Sequence, residues 1–140
     1  MSEYWPSSWS GEDGGPKRQQ IATNVSIPRI SSAKQLEVVS RDALAMTMPI
    51  VGPHDELFLQ RVMPGLDSVA WVEKIDPLTL EPLAQSEQLA GGPMWPGGMA
   101  THANGSLYVV FGNHAHRLST DLSVLASVEL PRVRPYNSFV

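Results

Sequence analysis

The stretch ANGSLYVVFGNHAHRL, residues 103–118, decides the fold class. Asn104-Gly105 is a strong signal for a hairpin turn, and Gly112-Asn113 is a second one. Between them, SLYVVF is apolar on both faces and rich in β-branched and aromatic residues, as is typical of a strand buried on both sides. The stretch therefore predicts three consecutive antiparallel strands joined by two tight turns.

Strands and turns alternate over most of the remaining chain. Pro82 places its strand at a sheet edge, because proline cannot donate to a β-ladder. Asp76 and Asp121 follow strands and are predicted to accept backbone N–H groups in Asx turns. Together these signals predict an all-β protein, with strands over 56–63, 69–76, 80–89, 97–103, 106–111, 114–119 and 122–130.

The N-terminal part of the chain has a different pattern. Residues 1–30 are dominated by Ser, Gly, Pro and charges, which predicts a disordered tail. Residues 31–42 fit a short helix or a turn, and a strand is expected to begin after residue 43.

Two segments of the chain resemble each other. KIDPLTLEPLAQS (74–86) aligns with RLSTDLSVLAS (117–127) when the first turn is longer. This alignment places Leu80 on Leu122, and the separation of about 42 residues suits one four-stranded propeller blade.

WVEKIDPLTLEPL (71–83) and GGMATHANGSLYVV (97–110) resemble the strand–turn–strand units of quinoprotein-like and gluconolactonase-like β-propellers. This resemblance implies antiparallel four-stranded blades over about 43–89 and 97–130, with a third starting near 135. Because a closed propeller typically has 4–8 blades, residues 43–140 are expected to form a partial propeller, the N-terminal fragment of a longer protein. Its expected partners are the remaining blades or a second copy bound through open sheet edges. A self-sufficient β-sandwich that dimerises through these edges is the alternative.

Composition excludes several classes of function. The chain has 140 residues, a formal net charge of −4 and no cysteine, so disulfides and thiolate chemistry are excluded and no basic footprint for nucleic acid is present. No signal peptide and no apolar run of membrane-spanning length can be recognised, so a soluble, cytoplasmic protein that does not contact membranes is expected.

The histidines do not predict a metal site. Two-residue turns at 104–105 and 112–113 would place His102, His114 and His116 on one face of the sheet. His102 and His116 would then be about 12 Å apart, too far for one zinc ion to bridge. We therefore predict no metal and no cofactor.

Catalytic motifs are also missing. The sequence has no G-x-S-x-G nucleophile motif, and the glycine-rich GGPMWPGG (91–98) lacks the pattern of a phosphate loop. The resemblance implies instead that ligands bind where the connections between blades and the turns between second and third strands meet on one face. The candidate ligand-binding residues there are Met94, Trp95, Asn113, His114, Arg132, Arg134 and Tyr136.

Arg and Trp side chains in this set would suit an anionic or aromatic ligand. The alternative is that Trp95 packs between blades and the arginines are solvated. We expect a ligand-binding or protein-interaction module without autonomous catalysis. The alternative function is the N-terminal part of a gluconolactonase-like or quinoprotein-like enzyme.

Overall fold

The computed structural model describes residues 7–11, 37–42, 47–63, 68–92 and 97–132, and this part of the chain is all-β. It contains two antiparallel four-stranded sheets with the strand orders β1-β2-β3-β4 and β5-β6-β7-β8. Nothing in these ranges forms a helix of the length and apolar character needed to cross a membrane. The strands are β1 Thr47–Val51, β2 Leu57–Val62, β3 Ala70–Ile75, β4 Pro82–Gln85, β5 Gly98–Thr101, β6 Leu107–Phe111, β7 His114–Leu118 and β8 Val124–Glu129.

Most of the predicted strands and turns are confirmed. The strand that contains Pro82 lies at the edge of the first sheet, as proline requires. Asp76 accepts the N–H groups of Leu78 and Thr79 at 2.8 and 2.9 Å, which is the predicted Asx turn. Asp121 likewise accepts the N–H of Ser123 at 3.4 Å.

The two turns around β6 differ in how well they were predicted. Phe111 pairs with His114, so Gly112-Asn113 is a two-residue turn as predicted. The other turn is one residue longer, because the N–H of His102 donates to Ser106 and not to Leu107. Gly105, with φ at +78°, ends this three-residue loop in the left-handed region. The predicted pairing of β5 with β6 is therefore wrong by one residue.

The two sheets share local geometry at the positions that the sequence comparison aligned. A β-bulge lies between Lys74 and Ile75 in the first sheet, and another lies between Arg117 and Leu118 in the second. In each sheet the turn into the outer strand contains a leucine in the left-handed region, with φ at +61° for Leu80 and +70° for Leu122. Positive φ angles are rare for leucine, so their occurrence at matching positions indicates that the two sheets share the same local geometry.

One apolar core lies between the sheets. Phe58 and Val72 of the first sheet and Val109 and Phe111 of the second belong to the same buried cluster. Gln60 lies at this interface, is fully buried, and donates from Nε2 to the carbonyl of Val110 at 3.2 Å. The contact between the sheets therefore includes one polar link inside an apolar surface.

The chain passes from the first sheet to the second through a close backbone crossing. After β4 the chain continues beside β3, where Leu89 and Ala70 exchange backbone hydrogen bonds. Gly91 then crosses the turn between β6 and β7, and its carbonyl accepts the N–H of Asn113 at 2.9 Å. A Cβ atom on Gly112 would collide with this carbonyl, so the crossing requires glycine.

Two N-terminal segments also contact the sheets. Ser7–Gly11, which lies within the predicted tail, hydrogen-bonds to β1 and β5. β1 and β5 are the first edge strands of their sheets, and this extended backbone binds to their open edges. Residues 37–42 are neither helix nor turn, and Arg41 joins them to β3 through Glu73. The rest of the predicted tail and of the predicted helix lies outside the described residues.

Candidate functional site

A cleft of about 370 Å³ opens between the connecting segment after β4 and the outer strands β7 and β8 of the second sheet. Apolar side chains form part of its wall, and carboxylates, an amide, a hydroxyl and two imidazoles supply its polar groups. Its lining residues are Glu87, Gln88, Leu89, Ala90, His114, His116, Val124, Ser127 and Glu129. The cleft therefore combines an apolar wall with several titratable groups.

His116 forms the inner wall of this cleft and connects its two sides. It is only 3% exposed. Nε2 lies 2.8 Å from the carbonyl of Ala90, and Nδ1 lies 2.8 Å from Ser127 Oγ. A carbonyl only accepts, so Nε2 carries the proton and Nδ1 accepts from the serine hydroxyl.

The environment of His116 favours its neutral form. Burial lowers the pKa of His116 below the ordinary value, and the nearby His114 acts in the same direction. The hydrogen bond to Ala90 opposes this shift but does not reverse it. A neutral imidazole with both nitrogens occupied holds the cleft together and is not available as a proton acceptor.

His114 lines the cleft and is more exposed than His116, and Asn113 lies beside it. The His114 ring stacks on His116 with centroids 6.0 Å apart and an angle of 12° between the rings. Its Nδ1 donates to Asn113 Oδ1 at 2.9 Å, and Asn113 Nδ2 donates to Glu129 Oε1 at 3.1 Å. His114 therefore keeps Nε2 for an external hydrogen bond, which makes it the polar group best suited to meet a ligand.

The histidines do not share one face as the sequence predicted. Because β5 is shifted by one residue, His102 lies opposite Ser106 and on the other face of the sheet from His114 and His116. There His102 meets Tyr108 edge-to-face at 5.5 Å, and its Nδ1 accepts the N–H of Asn104. Within the part of the chain that the structure describes, no group of three His, Asp or Glu side chains could hold a metal ion.

The structure places only some of the predicted ligand-binding residues. His114 lines the cleft, Asn113 is hydrogen-bonded to His114, and Arg132 is exposed beyond the end of β8. The remaining four predicted residues, Met94, Trp95, Arg134 and Tyr136, lie outside the described residues. The described lining of the cleft contains no arginine and no aromatic residue apart from the histidines.

A second polar cluster lies on the face of the first sheet that points away from the second sheet. Glu73 accepts hydrogen bonds from Arg41 at 2.8 Å, from Arg61 at 3.2 Å and from Trp71 Nε1 at 3.0 Å. Burial raises the pKa of Glu73, but these hydrogen bonds and arginine charges outweigh burial and lower its pKa overall. Its two buried charged side chains, Glu73 and Arg61, fix the 37–42 segment on the sheet through Arg41.

Sequence reasoning missed His116, Ser127, Glu87 and Glu129 as cleft residues. The alternation in H-x-H does predict that His114 and His116 share a face. However, the position of the 87–90 segment beside that face depends on a crossing that no local pattern predicts.

Comparisons with known proteins give no match. No family model, no curated protein and no solved structure is significantly similar to the chain.

Proposed function

We infer that the two sheets are neighbouring blades of a β-propeller, and that the module binds a small ligand in the cleft beside His114. The observation that carries the blade assignment is the matched position of the bulges and of the two left-handed leucines, Leu80 and Leu122. Each sheet is a four-stranded antiparallel meander, which is the architecture of a propeller blade. Repeated units with the same local irregularity support a common structural repeat.

The packing of the sheets supports the same assignment. In a propeller, the innermost strands of adjacent blades lie side by side around the axis, whereas the outer strands diverge. Here β1 contacts β5, and the N–H of Met99 points at Met48 Sδ at 3.1 Å. Leu83 of β4 and Leu125 of β8 are instead 61% and 52% exposed.

Cross-linking tests the blade arrangement directly, because the chain has no cysteine of its own. The double variant Met48→Cys/Met99→Cys is expected to form a disulfide when the chain refolds in the presence of a mild thiol oxidant, because Met99 is buried once the chain is folded. The matched control, Leu83→Cys/Leu125→Cys, places both thiols on outer strands and is expected to remain unlinked. Equal cross-linking of the two pairs would contradict the radial arrangement.

The cleft favours a ligand with hydrogen-bond donors or positive charge. Glu87 and Glu129 line it, and no Lys or Arg is among its described lining residues. This polarity differs from the anionic ligand that the arginines suggested. A partly apolar wall beside a few convergent polar groups is the usual composition of a small-molecule site.

Chemical-shift mapping tests the ligand class. Small organic amines are expected to shift the amide signals of His114, Ser127 and Glu129, whereas the corresponding carboxylic acids are not. Glu129→Gln should weaken amine binding, and Glu81→Gln, which lies outside the cleft, should leave it unchanged. Shifts scattered over the whole surface would contradict a defined site.

A further inference from the structure

The inner edges of the two sheets already hold an extended segment of the chain. The N–H of Val51, at the end of β1, donates to the carbonyl of Trp9 at 2.7 Å. The N–H of Thr101, at the end of β5, donates to the carbonyl of Ser10 at 2.8 Å. Ser7–Gly11 therefore joins both inner edges through its backbone, in the manner of an added β-strand.

Side chains add selectivity to these backbone contacts. Ser7 Oγ donates to the carbonyl of Val51 at 2.6 Å, and Thr101 Oγ1 donates to the carbonyl of Ser10 at 3.2 Å. Trp9 packs against the apolar core between the sheets. The contacts thus select a hydroxyl two positions before a large aromatic residue.

The two positions after Trp9 are small, buried residues. Ser10 and Gly11 are both buried where β1 and β5 converge, and Gly11 forms an antiparallel bridge with Ala100. Together the segment has the pattern hydroxyl–any–aromatic–small–small.

We propose that the inner edges of β1 and β5 form a docking groove for an extended segment of a partner protein with this pattern, and that Ser7–Gly11 is the chain's own competing occupant. Backbone hydrogen bonds provide a sequence-independent part of the recognition, and the Trp9 and Ser7 contacts provide the selective part. Because the occupant is tethered, a partner segment must compete with its effective concentration. The groove rests on these contacts and is independent of the number of blades and of the ligand cleft.

Peptide binding tests the groove. The probe is a fluorescein-labelled synthetic peptide with the sequence of residues 5–13, WPSSWSGED, titrated into the full chain and followed by anisotropy. Trp9→Ala in the chain weakens the tethered occupant, so the variant is expected to bind the probe about tenfold more tightly than the unmodified chain. The matched control Leu78→Ala, at an exposed turn residue, should bind like the unmodified chain.

Several results would overturn the proposal. These are equal affinity of the Trp9→Ala and unmodified chains, and equal binding of a probe in which the residue corresponding to Trp9 is alanine. If Trp9→Ala does not fold, NMR of the unmodified chain decides. Excess unlabelled probe should displace the chain's own segment, so the amide signals of Ser10 and Gly11 should shift to those of the free peptide. The amides of Val51 and Thr101 should stay protected from exchange, because the probe accepts their hydrogen bonds in place of that segment. Unchanged signals would reject the groove. If the chain forms a dimer that the probe dissociates, the groove binds the 7–11 segment of a second copy. That result would overturn the proposal of a separate partner protein.

Discussion

Replacing His116 with Ala is expected to lower the free energy of unfolding by about 2–4 kcal/mol. The substitution removes the hydrogen bonds with Ala90 and Ser127, and these contribute about 0.5–1.5 kcal/mol each. Loss of the buried ring adds about 1 kcal/mol of transfer free energy. Ser127→Ala removes only one of the two bonds and should cost about 1 kcal/mol.

The same ring makes stability depend on pH. The pKa of His116 is lowered in the folded state relative to its ordinary value of 6.5, so the unfolded state takes up the proton first on acidification. The contribution of His116 is therefore fully present above about pH 6.5 and is lost as the pH falls toward the lower pKa of the folded state. Each pKa unit between the two states corresponds to about 1.4 kcal/mol.

Urea unfolding followed by far-UV circular dichroism, at about pH 7.5 and about pH 5.5, measures both effects. The unmodified chain should lose stability at the lower pH, and His116→Ala should lose less. His114→Ala is the matched control, because it removes a stacked but more exposed ring and one local bond to Asn113. An equal cost for His114→Ala and His116→Ala, or greater stability at the lower pH, would refute the bridging role of His116.

Three further expectations use the same unfolding measurement. Glu73→Ala removes the carboxylate that two arginines contact and should cost about 3–5 kcal/mol. Because the pKa of Glu73 is lowered in the folded state, the unmodified chain should lose stability below about pH 4.5. Glu73→Gln should abolish this loss, and an unchanged dependence of stability on acid pH would contradict this expectation. Gly112→Ala, at φ +56° against a backbone carbonyl, should cost about 2–4 kcal/mol. Gly105→Ala, with open space around it, should cost about 1 kcal/mol; equal costs would disprove the close crossing. Both Leu80→Gly and Leu122→Gly relieve a strained positive φ. Leu122 is buried, so the loss of its side chain should outweigh this relief and leave a net cost of about 2 kcal/mol. Leu80 is only half-buried, so its net change should be less than about 1 kcal/mol, and a larger loss there would argue against strain.

The sequence predicts the strands well but predicts one of the pairings poorly. Asn104-Gly105 indicates a turn, yet it is compatible with loops of two or three residues. In β5 all four residues are buried, so no alternation of polar and apolar residues fixes which face points to the core. In contrast, Pro82 carries a local constraint that the sequence displays directly.

The candidate site was harder to predict because its parts come together only through tertiary packing. Asn113 and His114 are candidates only because the resemblance to propellers implies a ligand-binding face at the turn between the second and third strands. Ala90 and Ser127 contribute through a backbone carbonyl and a hydroxyl, and neither has a sequence pattern of its own. The composition of the 7–11 segment is that of a linker, so its backbone hydrogen bonds to β1 and β5 have no signal in the sequence.

The buried amide of Gln60 has a consequence for how uniquely the two sheets are aligned. Apolar side chains adhere over a range of offsets, but a hydrogen bond from Gln60 to the carbonyl of Val110 is satisfied at only one. Gln60→Met would keep the side-chain volume and the apolar packing between the sheets but would remove the hydrogen bond that fixes their relative position. The sheets would then slide among several nearly isoenergetic offsets, and line broadening of the core methyl signals would reveal the resulting heterogeneity.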